Sequence, residues 1–138
     1  MENDSAYLSI LQSGELEVIK DADGFLSRPL PAQESDRGIY AFHNIRFQNE
    51  LNKLRANVLW AKHNHDNRLK QRENVLRSSA REDKIGDKDE RDVMRYKDTQ
   101  WRDLNNVSQR LKIIVDRINT MEWMLKSHYE FVSSRRNG

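Results

Sequence analysis

The sequence predicts an all-α protein: two long helices forming an antiparallel coiled-coil-like hairpin, preceded by a short irregular N-terminal arm. Three observations carry this. Residues 40–82 contain neither glycine nor proline. Apolar residues recur with alternating spacings of three and four from Leu104 to Val132. Between these stretches lies a short polar segment with one glycine, Gly86. The chain has 138 residues, 36% hydrophobic and 33% charged, so its apolar side chains must be concentrated on helix stripes to form a core.

The arm, residues 1–38, holds Gly14, Gly24, Pro29, Pro31 and Gly38. Ser5 to Ser13 suits a short helix with Tyr7, Leu8 and Leu11 on one face and Gly14 as its stop. Glu15-Leu16-Glu17-Val18 alternates as a strand or an extended arm does. Asp21-Ala22-Asp23-Gly24 resembles the start of a calcium loop, but Phe25 falls where another oxygen ligand is required, so the segment reads as a turn. Arg28 to Gly38 reads as a linker.

The first long helix is expected over about 40–82. Phe47, Val58, Leu69 and Ala80 recur every eleven residues, as do His43, Leu54, His65 and Leu76. Eleven residues are close to three helical turns, so both rows stay on one face, which Leu51 and Ala61 widen. Asp83 to Lys88 interrupts the pattern, with Gly86 suited to end a helix and Asp87 or Asp89 to cap the next.

The second helix is expected over about 89–134. Its seam is Leu104, Val107, Leu111, Ile114, Ile118, Met121, Leu125, His128 and Val132, a heptad pattern of coiled-coil type. His128 is its polar member: a register-setting residue, or one half exposed at a frayed end. Phe131, Trp123 and Met124 lie off the main row, and spare apolar surface of this kind predicts a homo-oligomer.

Charge is unevenly placed. Residues 1–39 hold eight acids and three bases, residues 40–86 five and ten, and residues 87–138 nine and eleven. An acidic head on a basic body invites anionic partners, or a head that folds onto the body. Arg55, Lys62, Lys70, Arg77 and Arg81 fall within about 100° of one another on a helical projection, an arrangement able to follow phosphates. Asp66 and Glu73 share that strip and suit i,i+4 pairs with Lys70 and Arg77, so a solvated, salt-laced face accounts for the same residues.

His63 and His65 point about 200° apart on a helix and do not share an ion. The chain has no cysteine, and no phosphate loop, nucleophile elbow or helical His-Glu metal motif occurs; no enzyme, cofactor or metal is expected. The acidic start lacks an apolar run and no stretch reaches membrane-spanning length, which predicts a cytoplasmic protein, including the host cytoplasm for a phage protein, with no membrane partner.

Leu111-Lys112, Ile118, Trp123, Leu125-Lys126 and the closing Asn137-Gly138 resemble the C-terminal segment of the phage UvsY recombination-mediator family. The resemblance covers about the last thirty residues. The family carries tyrosines in a basic turn between its helical regions, whereas Arg77 to Gly86 supplies bases and a glycine but no tyrosine. The resemblance implies a small helical oligomer that binds single-stranded DNA and helps load a recombinase. From the residues alone, the alternative is a viral or phage structural or inhibitory protein, whose acidic arm, residues 1–38, meets a protein partner.

Overall fold

In the computed structural model, which describes residues 13–82 and 97–136, the described residues form three α-helices and no strand. They are α1 (Ser13–Leu26), α2 (Glu34–Glu82) and α3 (Thr99–Arg136). The chain divides into two compact units. Among the described residues, a three-segment unit combines 13–58 with 114–136, and a two-segment unit combines 59–82 with 97–113.

The N-terminal region differs from the sequence expectation. Residues 15–18, expected as a strand or extended arm, and the turn expected at 21–24 lie inside α1, as does Gly14. Ile19, Ala22 and Phe25 are buried at helical spacing, and they explain the difference. A helix of 14 residues with two glycines is marginal alone, and it forms because its apolar face is covered. The Phe25 ring lies 5.1 Å from that of Tyr40 and 5.0 Å from that of Phe47. Glu15 accepts a 3.1 Å hydrogen bond from Asn57, and Asp23 pairs with Arg117 of α3. α1 ends where the Ser27 N–H and hydroxyl both reach the Asp23 carbonyl, at 3.0 and 2.8 Å. α2 begins at Glu34, so the linker expected to run to Gly38 stops sooner.

In the three-segment unit, α2 buries Asn44, Phe47, Leu51, Leu54 and Val58, a three–four alternation. α3 buries Ile114, Ile118, Met121, Leu125 and Val132. Asn44, rather than the half-buried His43, belongs to this stripe, and it is fully buried. Its amide donates to the Leu125 carbonyl at 2.9 Å and its own oxygen accepts from Gln48 at 2.6 Å, so burial leaves it satisfied. Asn44 faces Leu125 while Arg55 faces Asn119 and Glu122; the helix segments therefore run in opposite senses within this unit.

The two-segment unit has a thinner apolar core, in which Trp101 and Leu111 are buried while Leu69, Leu76, Leu104 and Val107 are half-buried. Polar links supplement it. Asp98 caps α3 by accepting from the Trp101 N–H at 2.8 Å, and Arg72 grips the same carboxylate at 2.7 and 2.9 Å. The Trp101 indole donates to Glu73 at 3.1 Å, and Ser108 to Asp66. The expected caps Asp87 and Asp89, the stop Gly86 and the helix at 5–13, apart from Ser13, lie outside the described residues.

Candidate functional site

The seam residues of α3 differ in exposure. Leu111, Ile114, Ile118, Met121, Leu125 and Val132 are buried, while Leu104, Val107 and His128 are half-buried. Off the seam, Trp123 is 69% and Phe131 46% exposed, so neither is core.

The basic strip does not present five equivalent cations. The Arg55 guanidinium is committed to Asn52 at 2.6 Å, Asn119 at 3.2 Å and the Glu122 carboxylate. Lys62 pairs at 2.7 Å with Asp66, which also accepts from Ser108; Asp66 is thereby engaged one turn before Lys70 rather than with it. These bonds hold the Asp66 carboxyl below its usual range, against the opposing effect of burial. Glu73 faces Trp101, so Arg77 is without the acid expected beside it. Lys70 and Arg77 are exposed and make no ion pair among the described residues, and the side chain of Arg81 lies outside them. On α2, burial, reinforced by Arg68, holds the half-buried His65 imidazole below its ordinary pKa. Its Nδ1 has no hydrogen-bond partner among the described residues.

A different cationic site forms where α1 crosses α2 in the three-segment unit. A cavity of about 530 Å³ is lined by Lys20, Asp21, Gly24 and Arg28 with His43 and Arg46, over the edges of Phe25 and Phe47. The helices explain its composition. Ile19, Ala22 and Phe25 turn toward α2, which leaves Lys20, Asp21, Gly24 and Arg28 on the rim. Gly24 has no side chain, and a Cβ there would meet nothing within 4 Å, so the cleft is open on that side. From α2, the Arg46 guanidinium lies over the Phe47 ring, 4.8 Å from its centroid. His43 meets Phe42 edge-on at 5.6 Å, and Phe42 is 66% exposed.

The local balance is positive: three permanent cations and an imidazole against one acid, Asp21. Lys20, Arg28 and Arg46 are exposed, and none is held in an ion pair among the described residues. Water-exposed cations gathered around a concave surface concentrate anions there. An aromatic ring beside them gives a flat surface for stacking. Sequence patterns miss this site because its two groups of residues, 20–28 and 43–47, are separated by a 14-residue stretch and meet only once α1 is helical. The signal that points to it is the three-residue spacing of Ile19, Ala22 and Phe25.

Among the described residues, no three His, Asp or Glu side chains come together as a metal site would require, and no helix is long and apolar enough to cross a membrane. No protein-family model, curated protein or solved structure matches this chain.

Proposed function

We propose that this protein is a non-catalytic helical accessory factor that binds single-stranded nucleic acid. The observation that carries the reading is the cleft between α1 and α2. There Lys20, Arg28 and Arg46, none in an ion pair among the described residues, gather with His43, whose ring meets the exposed ring of Phe42 edge-on. Phosphates meet the cations and a base stacks on the ring, the two contacts that sequence-tolerant single-strand binders combine. Lys70 and Arg77 add exposed charge elsewhere on the chain.

In this proposal α2 and α3 form an antiparallel coiled-coil-like hairpin that self-associates, and repetition of a weak site in the oligomer raises affinity. The resemblance of the α3 region to UvsY-type mediators points the same way, toward recombination or replication in the cytoplasm of a phage-infected host. Fluorescence anisotropy of a labelled single-stranded oligonucleotide tests the reading. Three phosphate contacts predict a slope of about −2 in a plot of log affinity against log salt. A flat plot, or no binding at 50 mM salt, overturns it.

A second reading is a protein-binding module, either structural or inhibitory. Ile39, Phe42 and Ile45 of α2 favour it, being 62%, 66% and 44% exposed, as do Trp123 and Phe131 of α3. The partner-specific element expected in residues 1–38 includes α1, whose inner face is already occupied. Its rim and the residues before it are what remain for a partner.

A further inference from the structure

A second cavity of the three-segment unit, about 200 Å³, lies at the turn from α1 into α2. Phe25, Arg28 and His43 line it and also line the cationic cleft, so the two cavities share a wall. Their other residues differ in kind. The cleft adds Lys20 and Arg46, whereas the smaller cavity adds Pro29, Pro31, Ile39 and Tyr40 with one acid, Asp36. The linker explains this composition: both prolines lie between the helices, and a prolyl ring presents carbon and no N–H. Pro29 and Ile39 are exposed and Pro31 and Tyr40 half-buried, so the apolar lining is reachable from solvent. Phe25 is already covered by Tyr40 and Phe47 and serves as a wall rather than a stacking platform.

A nucleotide matches the two cavities in size and charge. A cavity of about 150 Å³ holds benzene, so the smaller one has room for a base. Asp36 repels a phosphate there, while Lys20 and Arg46 attract one in the cleft; charge thus fixes which end enters which cavity. Asp36 also selects among bases. Its side chain is exposed and makes no hydrogen bond or ion pair among the described residues, which leaves both carboxylate oxygens able to accept. Guanine presents adjacent N1–H and N2–H donors, which meet two carboxylate oxygens as a guanidinium does. Adenine, cytosine and thymine lack two neighbouring donors on that edge.

We propose that the smaller cavity holds the base of a nucleotide whose phosphate lies in the cationic cleft, with Asp36 favouring guanine; the proposal rests on the single-strand reading above. The exposed Phe42 ring stacks any base, whereas this cavity prefers one.

The test follows the backbone amides of the isotope-labelled full-length chain by NMR as inorganic phosphate, deoxyguanosine monophosphate or deoxyinosine monophosphate is added. The two nucleotides differ only in the 2-amino group. Phosphate shifts Lys20, Gly24 and Arg46, and the guanine nucleotide shifts these together with Ile39 and Tyr40. The inosine nucleotide binds about fivefold more weakly, the low end for loss of one base contact because Asp36 is exposed. Asp36→Ala makes the two nucleotides equal and leaves phosphate binding intact. Ile39→Gln, at an exposed helical position, weakens the nucleotide but not phosphate, so the proposal does not depend on one variant. Equal affinities of the parent for the two nucleotides, or shifts by phenol that match those by the guanine nucleotide, overturn the guanine site. Oligonucleotide binding at low salt without nucleotide shifts at Ile39 and Tyr40 refutes the base cavity and leaves the phosphate-binding reading standing. Nucleotide shifts in both cavities without oligonucleotide binding refute the single-strand reading and leave the guanine site standing as one for mononucleotides.

Discussion

Arg55→Ala removes the guanidinium that covers a carboxylate only 8% exposed, and leaves both Glu122 oxygens buried without a charged donor. Breaking a buried ion pair from one side costs about 3–5 kcal/mol. Arg55 itself is 26% exposed, so water reaches part of the gap; we place the loss at about 2–3 kcal/mol. Glu122→Gln keeps the volume and removes the charge, and costs about 1 kcal/mol. The double variant Arg55→Met with Glu122→Leu replaces the pair by apolar side chains of similar size, and its stability stays within about 1 kcal/mol of the parent or exceeds it. Urea unfolding followed by far-ultraviolet circular dichroism resolves these differences. For a urea dependence of about 1–3 kcal/mol per molar, Arg55→Ala lowers the midpoint by roughly 0.7–3 M. An Arg55→Ala protein within about 0.5 kcal/mol of the parent refutes the reasoning, because the measured pair then matches a solvated surface contact. A double variant as unstable as Arg55→Ala refutes it as well, since the loss then arises from packing rather than from stranded charge.

Three further outcomes are expected. Gly24→Ala and Gly38→Ala, each inside a helix with nothing within 4 Å of the added methyl, raise stability by about 0.5–1 kcal/mol, measurable as higher urea midpoints. Phe25→Ala costs about 3–5 kcal/mol and undocks α1, so hydrogen exchange shows lost protection in residues 15–26 while α3 remains protected. Asp98 is held at about 2 by its bonds from Arg72 and, after burial works the other way, from the Trp101 N–H. Its folded pKa lies below the unfolded value of about 3.9, so its contribution is complete above that value and is lost as pH falls toward 2. Asp98→Asn therefore flattens the decline in urea midpoint between about pH 4 and pH 2, and an unchanged decline excludes Asp98 as its source.

The helical class is legible in the sequence because two features agree: long stretches without breakers, and apolar residues spaced by three and four. In α3 that spacing is carried by aliphatic side chains, and Leu111, Ile118 and Leu125 are fully buried. In α2 the pattern is masked by a polar core residue. Asn44 occupies a buried position that only its bonds to Leu125 and Gln48 make tolerable, and no single-chain pattern reveals those partners. The eleven-residue rows consequently place His43 on the stripe in its stead. α1 is hidden for another reason. Gly14 and Gly24 lower its intrinsic helicity, and the compensation comes from Phe25 packing on Tyr40 and Phe47, which are distant in sequence.

Charged residues are harder to interpret than apolar ones because their roles depend on their neighbours. Arg55 and Lys70 look alike on a helical projection, yet one is bound to Glu122, Asn119 and Asn52 and the other is exposed. The cleft residues Lys20, Arg28 and Arg46 carry no local motif. Their association depends on α1 lying across α2, a tertiary event that periodicity within one segment does not encode.

The most direct measurement is the salt dependence of single-stranded oligonucleotide binding for the parent and for Lys20→Glu with Arg46→Glu. Both positions are exposed rim residues, so the variant keeps its helicity. The account predicts that affinity falls at every salt concentration and that the slope flattens from about −2 to about −0.7 as two phosphate contacts are lost. Parent and variant curves that superimpose would contradict it, and would move any nucleic-acid contact away from the α1–α2 cleft.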